Sequence, residues 1–291
     1  MSAPPVMIGL ELPDVAVWSP RVTVALGQNP SPFTGPGTNT YLVGTGPRRL
    51  LLDPGEGRPA YGAVLERALE AAGCEGLEAI VLTHGHPDHM GGVRSVLERY
   101  GDLPVWKRPW PEVDRSYGVA LRPLDEGDSV RTEGATLRAL HTPGHAPDHL
   151  CYVLEEEGAL FSGDNVLGVG TTVLPIGTGD LGQYMDSLER MLAAVRGRIY
   201  PAHGPCIEDG AGKIREYLAH RRAREAEILA ALDRTPVAVM DLVARVYAAY
   251  PKSLHAAAAQ SVTHHLRKLE REGLARREGG ADALEARWRR A

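Results

Sequence analysis

The sequence predicts an α/β protein: two half-domains, each a sheet with helices outside, packed as a sandwich and followed by a smaller module of helices and a wing. Three observations carry this expectation. Strand-like apolar runs and helical patterns alternate twice over along the first part of the chain, without G-x-G-x-x-G or P-loop signatures. Charge divides unevenly, with 16 Lys/Arg against 10 Asp/Glu (+6) in residues 213–291 and 16 against 27 (−11) in residues 1–212. The tail then reads helix, helix, hairpin. At 291 residues two domains are expected, 1–212 and 213–291.

Val15 to Leu26 reads as a strand, Asn39 to Val43 as a second, and Arg49-Leu50-Leu51-Leu52 as a third ending at Asp53-Pro54-Gly55. The segment Gln28 to Thr38 is too rich in Pro and Gly for a helix or central strand. It crosses a sheet edge or shapes the rim of a site. A helix spans Ala60 to Ala72. Ala79-Ile80-Val81-Leu82 is a short continuous apolar run, as in a strand covered on both faces. Helical spacing follows in Met90, Val93, Leu97 and Tyr100, with Gly91-Gly92 allowing close approach. Val105-Trp106 opens the next section. Ser129 to Leu140 reads as a hairpin turning at Glu133-Gly134, and Leu150 to Leu154 and Ala159 to Ser162 add strands. A helix from Leu181 to Val195 precedes a short strand, Arg198 to Tyr200.

Composition excludes several classes. Hydrophobic residues at 43% and charged residues at 24% are ordinary soluble values, with a net charge of −5. Cys74, Cys151 and Cys206 are few, odd in number and widely spaced, which argues against a disulfide framework. No stretch approaches the roughly 20 apolar residues of a membrane span. Glu11, Pro13 and Asp14 break the only apolar run near the start, and the first 20 residues contain no Arg. Neither a signal peptide nor a transit peptide is expected, and a soluble intracellular protein with no membrane partner is.

The chemistry concentrates in Thr83-His84-Gly85-His86-Pro87-Asp88-His89, directly after a buried strand. An α/β sheet places its ligands at the carboxyl ends of its strands. In extended chain, residues i and i+2 point the same way, so His84 and His86 can grip one ion. Asp88 and His89 turn away toward a second. One exposed His is ordinarily a loop residue, but three with an Asp at this spacing make a metal site. His145 in Thr142-Pro143-Gly144-His145, Asp164 in Ser162-Gly163-Asp164, and His203 in Pro201-Ala202-His203-Gly204 each end a strand-like run. Singly each would pass for a turn residue; together they complete a set of seven donors. His and Asp suit zinc and also admit manganese or iron. Two ions could share a hydroxide made available near neutral pH by metal binding, which Asp88 could help orient. Thr171 and Thr172 are candidates for holding a substrate phosphate. Asp148 and His149 stand behind the ligands, touch a leaving group, or cap the next strand. His141 reads as a strand residue and Cys206 as small buried filler.

The order T-H-x-H-x-D-H, P-G-H, G-D, H-G resembles the metallo-β-lactamase superfamily, in the two-metal form of glyoxalase II and the tRNA-processing endonucleases. That resemblance implies an αβ/βα sandwich with the site along one edge. It implies one zinc on His84, His86 and His145, a second on Asp88, His89 and His203, and Asp164 as the bridge. Asn29-Pro30, Gly37 to Arg49 and Thr132 to Arg138 are similar to the beta-lactamase-like protein 2 branch, animal mitochondrial endoribonucleases with a C-terminal winged helix. Fungal polyketide thioesterases share much of the N-terminal pattern. Pro201-Ala202-His203-Gly204 departs from the P-G-H-G of that branch, a change in packing rather than ligation.

After a long helix, Lys213 to Leu232, Val239 to Tyr250 and Ser253 to Glu272 read as helices. The last carries Leu254, Ala258, Val262, Leu266 and Leu269 on one face and Gln260, His264, Arg267, Lys268 and Arg271 on the other. His264 and His265 read as surface and packing residues. Leu274 to Arg277 and Leu284 to Arg289 form a wing around Gly279-Gly280, with Leu284, Ala286 and Trp288 alternating against charged neighbours. Such a module tracks phosphates with its basic face or docks another protein. The leading expectation is a dinuclear-metal endoribonuclease acting on single-stranded RNA. Hydrolysis of acyl-carrier, CoA or glutathione thioesters is the first alternative, and a non-catalytic nucleic-acid-binding regulator the second. The compartment would be the cytoplasm of a bacterium or an animal mitochondrial matrix.

Overall fold

The computed structural model describes residue 7 and residues 9–291; the reading of the extreme N-terminus as leaderless falls partly outside them. The first sheet contains, in spatial order, β1 (Val15–Ser19), β2 (Val22–Leu26), β3 (Asn39–Val43), β4 (Arg48–Leu52), β5 (Gly76–Val81), β6 (Val105–Lys107) and β7 (Arg122–Pro123). Pairing is antiparallel from β1 to β4 and parallel from β4 to β7. The second sheet runs β12 (Ile199–Pro201), β11 (Ala159–Gly163), β10 (Leu150–Leu154), β9 (Ala135–His141), β8 (Ser129–Thr132). The run expected as one strand from Val15 to Leu26 is two. Pro20 has no amide hydrogen to donate to a ladder, and the chain turns there so that Val15 pairs with Ala25.

Alternation along the strands builds the layers. In β4, Leu50 and Leu52 enter the core between the sheets while Leu51 faces outward. In β3, Tyr41 and Val43 face inward and Leu42 outward. The continuous apolar runs arise because each sheet is buried on both faces. The inner core joins Val24, Tyr41, Leu52 and Val81 to Leu137, Tyr152, Phe161 and Tyr200. Helices α1 (Tyr61–Ala72) and α3 (Val93–Tyr100) cover the first sheet with Val64, Leu65, Ala68, Val93 and Val96. Helices α5 (Leu181–Ala194) and α6 (Gly210–Ala231) cover the second with Leu188, Met191, Ile214 and Leu218. This is the expected αβ/βα sandwich.

The tail is a winged helix. A fourth core unites Ile228 and Leu232 at the end of α6 with α7 (Val239–Val246), α8 (His255–Arg271) and Trp288. Residue 212 thus falls in the first turn of a helix whose two ends enter two different cores. The sheet has three strands rather than two: β14 (Ala275–Glu278), β15 (Arg287–Arg290) and the two-residue β13 (Val237–Ala238). The second wing strand begins at Arg287, not Leu284. Asp282 accepts the amides of Leu284 and Glu285, curling that stretch into a turn, and Leu284 is exposed while Ala286 and Trp288 are buried. No helix among the described residues is long and apolar enough to cross a membrane.

Candidate metal centre

The two sheets converge at one edge, where hydrogen bonds from backbone and side chain tie them together. Leu150 N donates to Thr83 O (2.8 Å), Tyr152 Oη to Leu82 O (2.7 Å), and Asn39 N to Ala202 O (2.7 Å). The loops after β5, β9, β11 and β12 all open there. After β5, Pro87 starts the short helix α2 (Pro87–Met90), which turns Asp88 and His89 away from His84 and His86. Gly144 takes φ +126° where the loop before His145 passes the backbone of Tyr184, an approach with no room for a Cβ.

All seven donors expected from the sequence meet at this edge, in two groups that share one residue. His84, His86, His145 and Asp164 form the first, and Asp88, His89, Asp164 and His203 the second, with donor atoms in each within 4.8 Å of one another. In the first, His86 Nδ1 lies 2.9 Å from His84 Nε2 and 3.0 Å from His145 Nε2. In the second, His203 Nε2 lies 3.3 Å from Asp88 Oδ2, and His89 Nε2 lies 3.4 Å from the same oxygen. Asp164 divides its oxygens between the groups. Its Oδ2 is 3.4 Å from His145 Nε2, while its Oδ1 is 3.3 Å from His89 Nε2 and 3.1 Å from His203 Nε2.

The donor chemistry fits a pair of divalent ions. His89 Nε2 and Asp164 Oδ1 are buried without a hydrogen-bond partner among the described residues, a costly state unless a cation sits between them. The far nitrogen of each of four rings is anchored: His84 Nδ1 by Thr83 Oγ1 (3.0 Å), His145 Nδ1 by Val173 O (2.9 Å), His89 Nδ1 by Asp53 Oδ2 (2.8 Å), and His203 Nδ1 by Gly37 O at 3.5 Å. Such anchoring leaves the inward Nε2 lone pair for an ion. Burial pushes His84 and His86 below the ordinary imidazole value and His145 down to about 4, keeping them neutral donors. Burial also opposes charge on His203, but Asp164 and Asp88 lift it to about 9. The carboxylates of the second group thus favour a positive charge beside them, as a proton on His203 or as an ion that displaces it.

The family model for the metallo-beta-lactamase superfamily matches residues 33–203, which span all seven donors. The chain belongs to the metallo-β-lactamase superfamily. A second model, the beta-lactamase associated winged helix domain, matches residues 238–288. A beta-lactamase-like protein 2 homolog of Drosophila melanogaster is 42% identical over 93% of this chain and 95% of its own. An atrochrysone carboxyl ACP thioesterase of Claviceps purpurea is 44% identical over 81% of this chain and 75% of its own. The crystal structure of a metallo-beta-lactamase family protein from Thermus thermophilus covers 94% of this chain at 26% identity, with a TM-score of 0.75. The chain is thus a superfamily hydrolase with a site compatible with two metals.

Around the superfamily motif the structure resolves the open readings. His149 is buried behind the donors: its ring stacks on His84 at 4.9 Å, and its Nε2 accepts the Asp164 amide at 3.2 Å. Asp148 pairs with buried Lys107 (2.6 Å), which also holds Asp114 (2.7 Å) at the end of the short helix α4 (Pro111–Asp114). His141 ends β9 and donates to Pro147 O, away from both groups. Cys206 packs against the inner core. The Gln28 to Thr38 loop borders the site through Gly37 O, as a rim does. Thr171 is exposed, whereas Thr172 is buried with its hydroxyl 3.5 Å from His145 Nδ1. Two contributors were not anticipated. Asp53 holds His89, and Asn39 Nδ2 donates to the carbonyls of Pro201 and Gly204 on either side of His203. A signal for Asp53 existed: adjacent parallel strands end at the same edge, so the polar residue closing β4 lies beside the one following β5.

Proposed function

We propose that this chain is a dinuclear-metal hydrolase that cleaves single-stranded RNA internally. Asp164, with one oxygen toward each donor group, is the observation that carries the two-metal reading. In this reading His84, His86 and His145 hold one ion, Asp88, His89 and His203 the other, and Asp164 both. Bound divalent ions, zinc foremost with manganese or iron as substitutes, supply Lewis acidity and water of near-neutral pKa. The chain supplies the rest. Anchored rings fix the donors, and the two sheets shield all but the mouth. Asp88, with a side chain 23% exposed against 13% for Asp164, is the carboxylate placed to orient an attacking water beside its role as a ligand. Thr171, exposed on the loop beside His145, is the phosphate contact; Thr172 supports the ring.

RNA is preferred over a thioester because similarity to the beta-lactamase-like protein 2 relative runs through the winged helix. The thioesterase likeness covers less of both chains. The test incubates zinc-loaded protein with end-labelled single-stranded RNA and with a thioester panel, alongside His89→Ala and Asp164→Ala. Internal RNA cuts lost in both variants are expected. Intact RNA beside rapid metal-dependent thioester loss would replace the RNA reading with the thioesterase one.

A further inference from the structure

On the face of α8 that the sequence offered to phosphates, His264 is buried, Arg267 and Lys268 are half-buried, and Arg271 is exposed. His264 Nε2 donates to Leu174 O (3.0 Å). Arg267 donates to Ile176 O (2.9 Å), and Arg271 takes both carboxylate oxygens of Asp180 at 2.7 and 3.0 Å. Lys268 is held by Glu225 and Glu272. Each basic side chain on that face thus has a partner within the chain, Arg271 through an exposed ion pair.

All three loop partners of α8 lie in the segment between β11 and α5, residues 164–180, which has no regular structure of its own. Loops this long are uncommon in compact domains unless they serve a site. Within it, four carbonyls in five residues are taken by side chains from three separate elements. Arg221 of α6 takes Thr172 O (2.7 Å), His145 takes Val173 O (2.9 Å), His264 takes Leu174 O and Arg267 takes Ile176 O. The carbonyl that fixes the His145 ring thus sits between that of Thr172, held by α6, and that of Leu174, held by α8. Release of Leu174 and Ile176 would let the Val173 carbonyl swing, and with it the inward nitrogen of His145.

We propose that His264 and Arg267 are positioning residues for the first metal position: through the 172–176 loop, the winged helix holds His145 in its ligating orientation. The inference rests on the two-metal reading above. It gives α8 an intramolecular task in place of groove reading and makes the tail part of the hydrolytic site.

The test measures zinc retained by the full chain in equilibrium dialysis against buffered free zinc. Wild type is expected to retain two equivalents. H264A/R267A should lose about tenfold in affinity for one equivalent only, in keeping with the cost of loosening a ligand's support. H264Q/R267K, which restores a donor at both places, should recover it. K268A removes ion pairs of the same helix that do not touch the loop and should bind as wild type does. Unchanged affinity for both equivalents in H264A/R267A overturns the inference and leaves the two-metal reading intact. A wild type that retains fewer than two equivalents overturns both. If the double variant does not fold, R267A alone decides, since Arg267 is only partly buried: unchanged zinc affinity there overturns the inference.

Discussion

Asp53 shows how much of the site depends on single groups behind the donors. It is one of two non-glycine residues with positive φ (54°) among the described residues, and its carboxylate is buried. That conformation, uncommon for a side chain larger than Gly, is held by three bonds: from Thr83 N (2.8 Å), Thr83 Oγ1 (2.7 Å) and His89 Nδ1 (2.8 Å). Asp53 thus sets the tautomer of His89 and the direction of Thr83 at once. Asp53→Ala should weaken metal binding at the second group by about 10- to 100-fold, the usual cost of removing a ligand's partner. It should also cost about 1–3 kcal/mol of stability, because two buried donors on Thr83 lose their acceptor. Zinc competition titrations and urea unfolding check the two effects separately. Retention of both zinc equivalents at wild-type affinity would show that His89 is held by other means. The seven donors were legible because metal ligands need particular side chains at particular strand ends. Asp53 was announced only by its place at the end of a strand parallel to β5, since its role comes from a contact with His89 on that neighbouring strand's loop.

At the level of elements, local pattern was readable wherever a strand or helix was set by its own residues, and failed where a neighbour decided. The close approach expected of Gly91-Gly92 is real: a Cβ on Gly91 would meet Glu56 O at 2.8 Å, and one on Gly92 would strike Pro54 O. β13 has two residues and exists only because β15 pairs with it, so no periodicity could announce it. The basic face of α8 was read correctly as polar, but its periodicity could not tell solvent from a carbonyl-rich loop. The same helix carries a pH-sensitive contact. His265 is buried against α6, faced by Glu225 and Arg221 of that helix and by Lys268 of its own. Burial lowers its pKa to about 4, although Glu225 opposes the fall. An unfolded chain protonates this residue near 6.5. Between those values the unfolded state binds more protons, so the contribution is full above about pH 6.5 and drains as pH falls toward 4. The loss is on the order of 3 kcal/mol. In His265→Gln the acid limb of a stability-versus-pH curve should flatten by that amount between pH 6.5 and 4. A limb of unchanged slope would assign the acid sensitivity to other groups.

For the whole molecule, the decisive fact is that each donor group draws on both halves of the sandwich. His84 and His86 come from the first sheet and His145 and Asp164 from the second; Asp88 and His89 from the first, Asp164 and His203 from the second. The sheets already share an inner core, but at this edge they are tied by few backbone bonds. Ions bound here would act as cross-links between half-domains, and they bind the folded state alone, because the unfolded chain scatters the donors. Ligand linkage then sets the magnitude. A single ion at a thousandfold excess over its dissociation constant adds about 4 kcal/mol. For a chain of this size each kcal/mol moves the unfolding midpoint by about 2–4 °C. Exhaustive chelation removes both ions, about 8 kcal/mol together, and should therefore lower the midpoint by roughly 15–30 °C, and zinc returned in excess should restore it. The fall should be cooperative across both sheets, seen equally by tyrosine absorbance from the inner core and by far-ultraviolet circular dichroism. A midpoint indifferent to chelator would mean that the edge donors do not bridge the halves. A fall confined to one spectroscopic probe would mean that the ions steady their loops without joining the sheets.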